Sequence, residues 1–404
     1  MPTDAEEIWR YSRIGDCTID AFAPAVPATD PVDAGEVAGS LPAPVAQMLR
    51  AIGAPSAFAV SRNGSLGRIE VAPDLVHDGV SVAGAASRSP GDNVLGSVAR
   101  GASDLFVELN DGFLHDALVV DIPPKVRCAA PIVIVHWVDA DGAAVFPRTV
   151  VRAGAGSEAV VVEVVASDDV TALVVPVVEL DIADDARVGH LGIQHLGRRV
   201  WQLGYQASRI AAGAELLSFT GAFGGFYARQ RIDSVLAGER GVSNLLAASF
   251  GDDDQMLDFR TFQRHDAART TSDLLFKGAL AGHARSVYSG LIRISPGARR
   301  SDALQTNRNL VLSEGAHADS VPNLDIQEND VRCSHASAVG PVDEDQRYYL
   351  ESRGVPPAEA ERLIVLGFFS EVLDRLPVPA VRDLAIGQVA AKFAGTSVEG
   401  QADG

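Results

Sequence analysis

The chain has 404 residues, a length that suits two or three domains or one elongated domain with appendages. A hydrophobic content of 47% and a mean hydropathy of +0.11 exclude a disordered chain, and 22% charged residues spread along the whole length exclude a membrane bundle. With 34 basic against 53 acidic residues the net charge is -19, the wrong general field for binding nucleic acid or anionic lipid.

The three cysteines, Cys17, Cys128 and Cys333, are an odd, sparse set and no disulfide framework, and Cys17 and Cys128 read as inert buried thiols. Residues 1–10 carry acids but no basic or apolar leader, and no stretch reaches the roughly 18 apolar residues of a membrane span. The expectation is a cytoplasmic protein, neither exported nor inserted.

In chain order, residues 1–103 read as a mostly helical, irregular region. Prolines interrupt Phe22 to Pro31, and Leu41, Val45, Met48, Leu49 and Ile52 mark the best helix. From about 104 to 340 the texture becomes short, β-branched runs: Ile132–Val135, Ala159–Val165, Leu173–Leu180 and Ser286–Ile294. Similar small turns recur between them, such as Ala153-Gly-Ala-Gly156, Ala211-Ala-Gly-Ala214 and Ala281-Gly-His-Ala284. No amphipathic helix alternates with these strands, which argues against doubly wound and barrel folds. A β-solenoid or a β-sandwich remains; the long block and the like turns favour a solenoid, with coils of about 15–25 residues.

Residues 341–404 form a helical module. Asp343 reads as an N-cap and Gly354 as a stop; a second helix opens at Pro356 with Leu363, Leu366, Phe369, Val372, Leu373 and Leu376 on one stripe. A third helix spans about Val381 to Phe393, and Gly395 to Gly404 reads as a polar tail.

The sequence has no P-loop, no Gly-x-Gly-x-x-Gly after a strand, no Gly-x-Ser-x-Gly, no Cys-x-x-Cys and no His-Glu-x-x-His. The densest polar chemistry lies in Gln305-Thr-Asn-Arg-Asn-Leu-Val-Leu-Ser313 and Asp330-Val-Arg-Cys-Ser-His335. On a strand, Cys333 and His335 face the same way, a thiol and an imidazole that make half of a metal site. His317, eighteen residues before His335, or another chain would supply the missing ligands. The structural alternative is a plain pair of strand residues, and Asn307, Asn309 and the His265 corner read as groups that satisfy the backbone.

Four blocks in order, Thr270-Thr-Ser-Asp-Leu-Leu-Phe-Lys-Gly278, Asp302-Ala-Leu-Gln-Thr-Asn-Arg-Asn-Leu310, Asp330-Val-Arg-Cys-Ser-His335 and Tyr348-Tyr-Leu-Glu-Ser-Arg-Gly354, resemble the SufB/SufD family of iron-sulfur cluster assembly proteins. Glu7-Ile-Trp-Arg-Tyr-Ser12 resembles the start of its SufD members. The resemblance implies a mainly β fold: a right-handed parallel β-helix flanked by N- and C-terminal helical segments. It also implies a heterodimer with SufB through the β-helix, docking of the SufC ATPase on the C-terminal helices, and no nucleotide bound by this chain. The position matching SufB's cluster cysteine is Ala316, and the segment matching its Glu-His-Glu reads Ser334-His335-Ala336. These departures favour a SufD-type, non-catalytic scaffold with a transient iron-sulfur cluster at the SufB interface. His335 and Cys333 are then the metal ligands of this chain and His317 a further candidate. A homodimer of the isolated chain is a further possibility, and no membrane or nucleic-acid partner is expected. The rival readings are a β-helix polysaccharide-active enzyme and a purely structural docking subunit for an ATPase.

Overall fold

A computed structural model describes residues 2–399 except 4, 28–31, 90, 91, 93 and 100–103; the end of the proline-rich stretch and the last residues of the expected tail lie outside the described residues. From Leu118 to Gly340 the backbone winds through about eight coils of a β-solenoid. Each full coil contributes one strand to each of two sheets. The ten-stranded sheet ends in Thr271–Leu280, Asp302–Val311 and Arg332–Gly340, and the twelve-stranded sheet in Met256–His265, Arg285–Ile294 and His317–Ile326. Pairing is parallel and in unbroken register along these coils, as in Thr271↔Asp302 and Asp302↔Arg332.

One coil is longer than the turn spacing suggests. Equivalent corner positions of neighbouring coils bond to each other across 28 to 31 residues. The excess over the expected 15–25 residues arises because a coil holds two strands of about ten residues, not one. At one corner a residue takes a left-handed backbone in successive coils. Glycine fills it at 156 and 213, but Asp185, Arg240, Arg269 and Arg300 fill it elsewhere. Each corner N–H bonds to the carbonyl that precedes the next corner residue, as from Gly156 to Asp184 (2.8 Å), Asp185 to Ala212 (2.8 Å) and Gly213 to Glu239 (2.9 Å). This ladder offsets the cost of a positive φ at the non-glycine positions.

The first coil is capped by a hairpin within the region expected to be mostly helical. Ala57–Arg62 joins Ile132–Val138 in parallel, and Ser65–Val71 closes the sheet in antiparallel fashion. Its turn, Asn63-Gly64, has φ of 49° and 84° at the two residues, the two-residue turn that matches strand twist. The dipeptide is a hairpin signal in the sequence itself.

Both outer faces of the middle coils are covered. Trp9, Ile14, Cys17 and Phe106 pack on Leu203, Tyr227 and Met256 of one sheet. On the other sheet, helix Ala43–Ile52 and the C-terminal helices Pro357–Leu373 and Pro379–Glu399 share a core with Val135, Trp137, Leu191, Leu246 and Leu275. The buried stripe of Pro357–Leu373 is Val365, Phe369, Val372 and Leu373, whereas Leu363 is 41% exposed. The third helix extends to Glu399 and absorbs the first half of the expected tail. The first C-terminal helix starts as its punctuation predicts, with Asp343 accepting from the N–H groups of Asp345 and Gln346.

Along the interior, polar residues of the first coils give way to an aromatic plug. Phe259, Phe276 and Tyr288 meet edge to face with centroids 5.6 Å apart. Beyond the plug the interior holds Gln305, Asn307 and Asn309 beside an apolar corner of Ile292, Ile294 and Ala303, and ends at the last coil.

Candidate functional site

The last coil, His317–Ile326 with Arg332–Gly340, has a neighbouring coil on one side only. Alternation sends Ala303, Gln305, Asn307 and Asn309 of the preceding strand inward, and the register places Cys333 over Ala303 and His335 over Gln305. Cys333 and His335 therefore share the interior face, as the i, i+2 spacing requires. Their surroundings differ. Cys333 is half-buried against Ile292, Ile294, Ala298 and Ala303, while His335 is exposed at the end of the column. Burial, helped by the charge of Asp302, pushes the Cys333 thiol up, so a metal has to displace its proton.

His317 is not brought to this pair. It starts the opposite strand, faces outward and pairs with Asp319 at 3.3 Å, while the inner face of its strand presents Ser320, which bonds Ser337 at 2.8 Å. Among the described residues no group of three or more His, Cys, Asp or Glu side chains is placed to hold a metal ion. Cys333 and His335 thus offer one sulfur and one nitrogen, the donor types that suit zinc or iron, two short of a closed tetrahedral shell.

Four apolar side chains of the last two coils are exposed: Leu304, Val321, Ile326 and Val339. A second apolar area lies on the C-terminal helices, where Leu310, Leu350, Leu363, Ile364 and Phe368 line a groove of about 540 Å³ with Tyr348 and Tyr349 exposed on the adjoining helix.

Residues 136–368 match the family model described as SUF system FeS cluster assembly, SufBD core domain. The chain belongs to the SufBD family. It is 38% identical over 214 residues to an iron-sulfur cluster assembly SufBD family protein of Mycobacterium tuberculosis, a match covering 51% of this chain and 54% of that protein. It is 23% identical over 298 residues to the iron-sulfur cluster assembly protein SufD of Escherichia coli, covering 72% of this chain and 70% of that one. It is 38% identical over 142 residues to SufD of Bacillus subtilis, covering 35% and 32%. The chain thus spans about half the length of the Mycobacterium tuberculosis relative. The SufBD match includes both candidate ligands and every coil from His136 onward.

The other cysteines are far from this end. Cys17 and Cys128 are buried, and burial pushes each thiol up to about 11, which leaves them unreactive at neutral pH. His265 is a satisfied core histidine, its ring nitrogens 2.7 Å from Thr270 Oγ1 and 2.9 Å from Ser272 Oγ. Asn309 donates to Asn307 at 2.9 Å.

Sequence reasoning overlooked a second polar cluster, deep in the first coils. Glu163 receives His136 Nε2 at 3.0 Å on one oxygen and His190 Nε2 at 2.7 Å on the other, and Thr149 donates to it at 2.6 Å. Ser61 holds His136 Nδ1 at 2.7 Å. Burial raises the Glu163 carboxyl, but the two histidine bonds and their charge outweigh it and hold it well below the usual carboxylate range. The only signal in the sequence is one glutamate within an otherwise apolar strand, Ala159-Val-Val-Val-Glu-Val-Val165.

No helix among the described residues is long and apolar enough to cross a membrane.

Proposed function

We propose that this chain is a SufD-type, non-catalytic scaffold of the cytoplasmic SUF machinery. It pairs with SufB through the uncovered end of the solenoid, docks the SufC ATPase on its C-terminal helices, and lends His335 and Cys333 to a nascent iron-sulfur cluster held as cargo at the SufB interface. The isolated chain, with the same end free, pairs with a second copy. The observation that carries this reading is the last coil: two donor side chains on the inner face of a solenoid end that no element among the described residues covers, with exposed apolar residues on the last two coils. SufBD membership supports the cargo, and the separation of His317 from the pair supports a reading in which a partner chain supplies the remaining ligands.

His335→Ala removes a donor that has no bond within the strand ladder. The variant should assemble with SufB and SufC like the parent, yet its anaerobically purified complex should carry less iron and sulfide. Cys333→Ser should act in the same direction and Cys128→Ser should be silent. If assembled His335→Ala complexes load iron and sulfide like the parent, the chain is a docking subunit only.

A further inference from the structure

Beneath His335 lies a side chain that the fold leaves without a partner. Gln305 is 1% exposed, and among the described residues neither its amide nitrogen nor its amide oxygen has a hydrogen-bond partner. Buried amides are nearly always bonded, so an orphan of this kind calls for a physical account. The register supplies one. In the coil below, the strand neighbour of Gln305 is Leu274, which offers nothing polar; in the coil above it is His335.

The space around the amide is made to measure. Opposite it stands Gly290, where a Cβ would come within 2.6 Å of Gln305 Nε2, 2.8 Å of Gln305 Cδ and 2.4 Å of the Tyr288 hydroxyl. Three nearby polar pairs are bonded to each other rather than to the amide: the Tyr288 hydroxyl is 3.0 Å from Thr261 Oγ1, Asn309 donates to Asn307, and Ser337 bonds Ser320. A glycine thus keeps open the room for an amide whose neighbours in its own strand ladder are a leucine on one side and an imidazole on the other.

An imidazole that binds a metal through one ring nitrogen carries its proton on the other, and that N–H nearly always has an acceptor which fixes the tautomer and the ring plane. We propose that Gln305 is the positioning residue of the candidate site: its carbonyl accepts the N–H of the His335 nitrogen that faces away from the cargo. The ring is thereby held in one tautomer with its free lone pair directed out of the solenoid end. This inference rests on the reading of His335 as a ligand.

The test uses the full chain, alone and in complex with its partners. Nitrogen NMR of histidine-labelled protein should show one His335 tautomer in the parent and a mixture in Gln305→Leu. Iron retention by the anaerobic complex of Gln305→Leu should fall by about 10–100-fold, the usual effect of losing a partner of a ligand. Gln305→Glu, which keeps an acceptor oxygen, should restore the single tautomer. Gly290→Ala should reproduce the Gln305→Leu result by displacing the amide without removing it, and it serves if Gln305→Leu does not fold. Gln263→Leu is the control, because Gln263 is also buried and unpartnered but lies one coil further in on the other sheet. The proposal is overturned if Gln305→Leu or Gly290→Ala leaves the tautomer and the iron content as in the parent. If His335→Ala loads iron normally, the ligand reading fails by itself, and the tautomer measurement still decides whether Gln305 holds the ring.

Discussion

His265 and Glu163 show how buried titratable groups set the acid limit of this solenoid. Burial is the main force on His265 and lowers its pKa from 6.5 to about 4, with Asp266 opposing weakly. In the unfolded chain the ring protonates first. Its contribution is therefore fully present above pH 6.5 and lost as pH falls from there to about 4, ~3 kcal/mol in all. The carboxylate of Glu163, held low by His136 and His190, loses its contribution in the same direction, below the ordinary carboxylate range. The urea midpoint should fall between pH 7 and pH 4.5. A His265→Asn variant, which does not titrate, should start lower and show a shallower fall; an equal slope in parent and variant would remove His265 from this account.

At the scale of elements, the C-terminal helices are fastened to the solenoid by two of the chain's three lysines. Lys277, almost wholly buried, donates to the Phe368 carbonyl at 2.7 Å and pairs with Glu371 at 2.5 Å, and its ammonium lies 4.6 Å from the Phe368 ring centroid. Lys392 is held by Asp252 at 2.5 Å and Gln255 at 2.6 Å. The two clamps differ in what a substitution leaves behind. Lys277→Met leaves Glu371 half-exposed and still paired with Arg308 at 3.9 Å, so it should cost about 1 kcal/mol. Lys392→Met leaves Asp252, 11% exposed, with Arg198 as its remaining cation, and should cost roughly 3 kcal/mol. Denaturant unfolding of the two variants checks the order, and an equal or inverted loss would show that exposure of the orphaned carboxylate is not what decides it.

For the whole molecule the consequence is that the C-terminal helices are not a detachable module. Val365, Phe369, Val372 and Leu373 share one core with Trp137, Leu246 and Leu275, so cutting the chain before Asp343 would strip apolar cover from the solenoid. The proposed docking of SufC is better tested by exposed side chains. Leu363→Asp and Tyr348→Ala touch a groove rim and an exposed position, and should leave the melting temperature in place. Each should weaken SufC capture by about tenfold or more if these side chains anchor the interface. Parent-like capture by both variants would move the docking surface elsewhere.

Much of this was legible in the residues. The β-branched runs, recurrent small turns and missing alternating helices are enough to indicate a solenoid, because strand propensity and turn chemistry act within a few residues of chain. The punctuation of the Asp343–Gly354 helix is local for the same reason, and strand alternation alone puts Cys333 and His335 on one face. Coil length was not legible, because only pairing across about 30 residues fixes where a coil closes. The outward turn of His317, the partnership of Glu163 with His136 and His190, and the orphaned amide of Gln305 under His335 were likewise decided by register. Strand register is a contact between distant segments, and a one-residue slip would send every one of these side chains to the opposite face.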